Sequence, residues 1–112
     1  MGSNDLDRIE WHDLPLVAVT VTAVGAQLVF SVYNEATHTH VGYGLRLSHA
    51  ASLSFAIAGE VSQADLANLE ISTFSYTLSP EGLLTGTIGI LVGNAGFWEI
   101  SATDARWELA EA

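Results

Sequence analysis

Residues 17–33 read VAVTVTAVGAQLVFSVY, and the period of that stretch decides the fold. Val17, Val19 and Val21 alternate with Ala18, Thr20 and Thr22, the pattern of a β-strand that turns one face to a core and the other to solvent. Ala23 to Ala26, centred on Val24-Gly25, reads as a turn. The chain then returns through Leu28, Phe30 and Val32 on one face, with Gln27, Val29, Ser31 and Tyr33 on the other, so the two runs are expected to pair as a β-hairpin. The competing reading is a membrane-spanning helix, since Leu14 to Asn34 carries no charge and has about the 20 residues such a helix needs. Pro15, Thr20, Thr22, Gly25, Gln27 and Ser31 dilute that run, and a period of two does not belong to a helix.

Further along the chain the same period recurs. Tyr43, Leu45 and Leu47 make a third alternating run, and Leu53, Phe55 and Ile57 a fourth, with small Ser and Ala residues on its opposite face and Gly59 at its end. Asn34 to Gly42, between them and the hairpin, is polar and reads as a loop or an exposed strand end. From Val61 to Asn68 the pattern changes, and Ser62 with Asp65 three positions on suits the cap of a helix of at most two turns. Strand signal resumes from Leu69 to Leu78, but the apolar phase slips from Leu69 and Ile71 to Phe74, Tyr76 and Leu78, which places a β-bulge near Ser72 and Thr73.

Ser79-Pro80-Glu81-Gly82 has the chemistry of a type I turn. Leu84, Gly86, Ile88, Ile90 and Val92 then share a face, and the opposite face is similarly apolar, as in a central strand; Gly86 and Gly89 hint at close backbone approach. Gly93-Asn94-Ala95-Gly96 reads as another hairpin loop, followed by a strand from Phe97 to Thr103 and a last short run through Ala105, Trp107 and Leu109. The pattern predicts a mostly β domain, an antiparallel sandwich or partly open barrel of seven to eight short strands with at most one short helix. It is expected to be a single domain over residues 1–112, with residues 1–13 as an acidic, in part flexible N-terminal segment.

Charge narrows the function classes. Lysine is absent, three arginines stand against 13 acidic residues, and the formal charge is −10. Such a chain repels polyanions, so neither nucleic acid nor an anionic membrane is an expected partner. It has no cysteine, hence no disulfide, thiolate metal site or thiol nucleophile, and 49% of its residues are hydrophobic, enough for a core without staples. Met1 to Asp13 lacks the basic-then-apolar order of a secretory signal, so a cytoplasmic location is expected. No cofactor is expected either.

Chemistry-bearing residues are few. His38 and His40 share a face if extended, and with His49 on a neighbouring strand would offer three imidazoles for a metal in a His-dependent enzyme; an exposed polar loop is the plainer reading. His12 and Asp13 are adjacent, so they form an acid-base couple only if the backbone turns between them. Trp98 shares a face with Ile100 and reads as core, whereas Trp11, between Glu10 and His12, reads as an exposed anchor. Together Asp7, Glu10, Trp11, His12 and Asp13 form the candidate partner-binding surface, an acidic stretch suited to a basic protein.

Trp11-His12-Asp13-Leu14-Pro15-Leu16, followed by an alternating hairpin that ends near Tyr33 and by Leu45-x-Leu47 and Leu53-x-Phe55, resembles a group of small bacterial β domains. These open with His-Asp and an apolar residue ahead of a first hairpin, and some are described as immunity proteins of contact-dependent or polymorphic toxin systems. The resemblance covers about the first half of the chain and implies binding and blocking of a toxin, without catalysis. The expected function is thus a non-catalytic, acidic, protein-binding domain, immunity-like in its most specific form. A homo-oligomeric structural or small-ligand-binding sandwich is the alternative, because the uncharged stretches 14–34, 47–59 and 82–98 offer more apolar surface than one small core can cover.

Overall fold

The computed structural model describes residues 6–59, 62–94 and 96–111. Residues 1–5 of the acidic segment, Glu60-Val61 ahead of the short helix and Ala95 in the last hairpin loop lie outside the described residues. Seven antiparallel strands form one sheet: β1 (Leu14–Thr22), β2 (Gly25–Asn34), β3 (Thr39–Ser48), β4 (Ser52–Ala58), β5 (Leu69–Leu78), β6 (Leu84–Val92) and β7 (Gly96–Glu111). A 3-10 turn at Gln63–Ala67 is the one helical element of any length among the described residues. The sheet runs β3-β2-β1-β5-β6-β7-β4, and an additional β3–β7 pairing closes β1, β2, β3, β7, β6 and β5 into a barrel. The 14–34 segment forms the β1–β2 hairpin, and among the described residues no helix is long and apolar enough to cross a membrane.

β7 makes closure possible. It is a single strand where the sequence pattern predicts two runs. Its first part pairs with β6 on one edge and with β4 on the other, and residues 106–111 then pair with β3. Only His49, Ala50 and Ala51 separate β3 from β4, and the Ala51 amide donates to the Thr103 carbonyl at 2.9 Å, so β3 and β4 follow one another along the same edge of β7. The kink falls at Asp104 and His49, both in the left-handed region with φ of 51°. There the inward phase of β7 slips from Ile100 and Ala102 to Ala105, matched by a register shift between Leu84 and Gly86 on β6.

The core is entirely apolar among the described residues. Leu28 and Phe30 of β2, Leu45 of β3, Ile71 of β5 and Leu84, Ile90 and Val92 of β6 are fully enclosed, with Ile88 and Ile100 beside them. Three other sequence signals are realised as read. The β5 bulge lies between Ile71 and Thr73, and the Asp65 carboxylate accepts from the Ser62 amide at 2.9 Å ahead of the 3-10 turn. At the β5–β6 turn the Gly82 amide donates to the Ser79 carbonyl at 2.8 Å, with Gly82 at φ 87°.

One face assignment needs correction. Leu14 and Leu16 supply the buried side of β1, while Val17 is 64% exposed. A register shift between Leu16 and Ala18 makes Val17 the extra residue of a bulge, and Val19 then packs against the core while Val21 stays exposed near the hairpin tip.

Close approach of β5 to β6 explains Gly86. A Cβ there would press on the Ser75 carbonyl oxygen and lie 2.9 Å from the Tyr76 Cα, atoms of a backbone that cannot move without breaking the ladder. Gly86→Ala is expected to lower stability by about 1–3 kcal/mol, as overpacking does. Gly44→Ala meets the end of the Gln27 side chain at 3.5 Å and the Leu28 carbonyl oxygen at 3.9 Å, both ordinary contacts, and should be nearly neutral. Urea unfolding midpoints of the two variants check the contrast, and equal losses would contradict it.

Candidate functional site

The N-terminal segment crosses the end of the barrel at which β1 begins. β1 and β5 pair only over Leu14–Leu16 and Leu69–Ile71, so the rest of β5 has no strand on that side among the described residues. Residues 6–13 occupy the gap. Leu6 is fully buried, and the Trp11 indole Nε1 donates to the Leu6 carbonyl at 2.9 Å. The Trp11 ring packs edge-on against Phe30 and Phe74, with centroids 5.2 and 4.9 Å apart. Trp11 is thus 8% exposed, and the expectation of an exposed anchor is corrected: an open barrel end needs an apolar plug, and Trp11 is the largest side chain at hand.

Beyond Trp11 the polar residues face outward. Asp13 adopts φ 61°, which supplies the backbone turn that an adjacent His-Asp couple requires, and His12 Nε2 lies 3.4 Å from Asp13 Oδ2. The other imidazole nitrogen, Nδ1, is 2.6 Å from the carbonyl oxygen of Ser72. Ser72 is the extra residue of the β5 bulge, so its place outside the β5–β6 register leaves that carbonyl free to accept. A carbonyl can only accept, so Nδ1 carries the proton. In neutral imidazole the Nε2 lone pair would then face a carboxylate, whereas imidazolium donates to both neighbours. The His12 pKa is accordingly raised from its ordinary value, first by the Ser72 hydrogen bond, then by Asp13, with Glu70 adding to it against some desolvation.

A second polar stitch lies nearby. The Tyr76 hydroxyl donates to Asp7, and burial, followed by that hydrogen bond and the carboxylate charge, pushes the phenol pKa up to about 12. Asp7, Asp13, His12 and Glu70 therefore gather on one flank of β5, with Glu10 exposed on the same segment. His12 and Asp13 side chains are 75% and 65% exposed, which suits a surface that recognises charge.

The structure does not assemble the histidine triad. His40 stands at the start of β3 and His49 just past its end, roughly 30 Å of strand apart. His38 instead lies in the β2–β3 turn, its Nδ1 3.2 Å from the Tyr33 hydroxyl, and His40 packs edge-on to the Tyr33 ring. Among the described residues no three His, Cys, Asp or Glu side chains are placed to hold a metal ion.

A second feature escapes a reading of the sequence alone. Leu53, Phe55 and Ile57 lie opposite Ala102, Ile100 and Trp98, on the inner face of the sheet. Yet Phe55 is 36% and Ile57 62% exposed, because the barrel closes through β3 and leaves β4 beyond it. Alternation identifies which residues share a face but not whether another layer covers it. The only available signal is the absence of charge from residues 47–59.

Two outcomes follow. Trp11→Ala should cost about 3–5 kcal/mol, the range for deleting a buried large aromatic, measured by denaturant unfolding; a loss under about 1 kcal/mol would mean that the plug is dispensable. For His12 the folded pKa exceeds the unfolded value, so its contribution is complete below about pH 6.5 and disappears as pH rises through the folded pKa. The stability gap between wild type and His12→Ala should therefore be widest near pH 5.5 and shrink by pH 9; a gap independent of pH would contradict the assignment. Compared with known proteins, the chain matches no family model, no curated protein and no solved structure, which leaves geometry and charge as guides to its role.

Proposed function

We propose that this domain is a non-catalytic protein-binding module whose acidic flank, Asp7, Glu10, His12, Asp13 and Glu70, takes a basic partner, with inhibition of that partner in the manner of an immunity protein as its most specific form. One observation carries the reading. Among the described residues, Asp7, Asp13 and Asp65 are the carboxylates that receive a hydrogen bond or ion pair from within the chain. On the proposed flank Glu10 and Glu70 receive no such bond from the described residues, and the partner of Asp13 is an imidazole that is itself largely exposed, so most of the flank's charge is left unneutralised on a chain of formal charge −10. Unneutralised surface charge of one sign speeds encounter with a partner of opposite sign and discriminates against acidic ones.

Trp11 has no part in this surface. Its role is to hold the segment so that Glu10, His12 and Asp13 stand outward in a fixed arrangement, which lowers the entropy cost of docking. The His12 pKa lies above its ordinary value, and the imidazolium tempers the negative potential while it lasts, so the flank grows more acidic as pH rises and His12 loses its proton.

Affinity capture from the native host at about 50 and about 500 mM salt tests the reading. A basic protein should be retained at low salt, weakened at least about tenfold at high salt, and lost from a folded double variant Glu10→Lys with Asp13→Lys. Retention indifferent to salt and to both substitutions, or capture of no basic protein, would overturn it.

A further inference from the structure

We infer that β4 is a self-association edge, on which a second copy of this chain adds its own β4 antiparallel about a two-fold axis through Phe55. This inference stands apart from the acidic-flank reading. It rests on a different margin of the molecule: in the layer β5-β6-β7-β4 the acidic flank borders β5, three strand spacings or about 14 Å from β4.

The first ground is the edge itself. β4 pairs with β7 along one side, and among the described residues no strand pairs along the other. Half of its backbone donors and acceptors therefore point at solvent, and their natural complement is another strand. Edge strands are ordinarily blunted by a charge, a proline or a bulge. Residues 52–58, Ser-Leu-Ser-Phe-Ala-Ile-Ala, contain no charge and no proline, and their register with β7 is unbroken. The outer half of β1 is also unpaired on one side, but the bulge between Leu16 and Ala18 bends it, and the free side of β5 is taken up by the N-terminal segment.

The second ground selects the occupant. Set antiparallel to itself about Phe55, the strand pairs along its full length. Phe55 meets Phe55 of the second copy, Leu53 meets Ile57, Ser54 meets Ala56, and Ser52 meets Ala58. Leu53, Phe55 and Ile57 of both copies then form one continuous apolar strip on the inner face, extended by Trp98, which packs edge-on to Phe55 at 5.7 Å. The opposite face pairs only small Ser and Ala side chains. Cross-strand pairs of this kind, aromatic with aromatic and branched with apolar, are the unit of sheet stabilisation.

Charge is the third ground. A second copy also carries −10, so contact is opposed wherever carboxylates would meet. On β4 they do not. The nearest on the neighbouring strand is Glu99, opposite Ala56 on the outer face. In the paired arrangement the two Glu99 residues are at least three strand spacings apart, about 14 Å, beyond the screening length of about 8 Å at physiological salt. The result is an eight-stranded sheet running through both molecules, with the two acidic flanks at its far margins.

Sedimentation or light scattering at about 50 μM tests the association, with oxidation of a single introduced cysteine to test its register. Wild type should have twice the chain mass of 11.9 kDa and dimerise more tightly as salt rises, the opposite trend to binding of a basic partner. Ile57→Lys, at a side chain already largely exposed, should be folded and monomeric. Because the chain has no native cysteine, Phe55→Cys should form an intermolecular disulfide, whereas Ser54→Cys, diagonal to its own copy across the axis, should not. A wild-type monomer at this concentration overturns the inference. So does a dimer indifferent to Ile57→Lys that fails to cross-link through Phe55→Cys, and so does a monomer whose β4 amides gain protection only when a foreign peptide is added.

Discussion

The double pairing of β7 is the constraint on which the rest of this domain depends. A strand of sixteen residues is bonded to β6 on one edge and to β4 and β3 in succession on the other, so three of the other six strands are fixed by it directly, one of them at the barrel closure. One strand can serve two layers only if its inward face is reset where it passes between them. Because side chains alternate with a period of two, a slip of one residue reverses every later position. The left-handed Asp104 makes that slip, turning Ala105, Trp107 and Leu109 inward after Ile100 and Ala102. Trp107 then anchors the β5–β6 turn by donating from Nε1 to the Gly82 carbonyl at 3.0 Å.

Closure on one side leaves weakness on another. β1 and β5 share three residue pairs, too short a seam to seal the barrel, and the N-terminal segment completes it with side chains instead of a ladder. Leu6 and Trp11 supply the apolar plug. Tyr76–Asp7 and His12–Ser72 tie its rim with hydrogen bonds that remain partly wet, so their energetic weight is small beside the burial of Trp11 and Leu6. The bulge on β5 joins these events: by pushing Ser72 out of register it shifts Phe74 and Tyr76 toward the plug and offers His12 a carbonyl.

Much of this was legible from the chain because it is local. The β1–β2 hairpin, the phase slip at Ser72 and Thr73, the Ser62–Asp65 cap and the Pro80–Gly82 turn each follow from a few neighbouring residues. What escaped depends on distant ones. Val17 sits in unbroken alternation with Val19 and Val21, and only the short pairing of Leu14 and Leu16 with β5 forces the bulge that exposes it. Trp11 is buried because the barrel has an open end, a property of the closed sheet and not of residues 10–12. His40 and His49 look near in sequence, but an extended strand turns nine positions into about 30 Å. Leu53, Phe55 and Ile57 have the pattern of a core strand and sit where the core stops.

An acidic surface and an uncharged edge are complementary parts of one arrangement. Strong like charge discourages association of copies in most orientations, and it does so without lysines at the strand edges, where many β proteins place them. A chain with no lysine must rely on carboxylates for that protection, and they stand mainly in turns, at strand ends and on the outer face, leaving residues 47–59 bare. In the proposed dimer, repulsion over the remainder of the surface would act as an orientation filter: the approach that avoids opposed carboxylates is the one that brings uncharged strand to uncharged strand. Removing charge from β4 alone would be a hazard on a neutral protein, open to disordered edge-to-edge growth. On a molecule of formal charge −10 it would confine the proposed association to a single edge, and a two-fold axis would consume that edge in both copies, so growth would end at two.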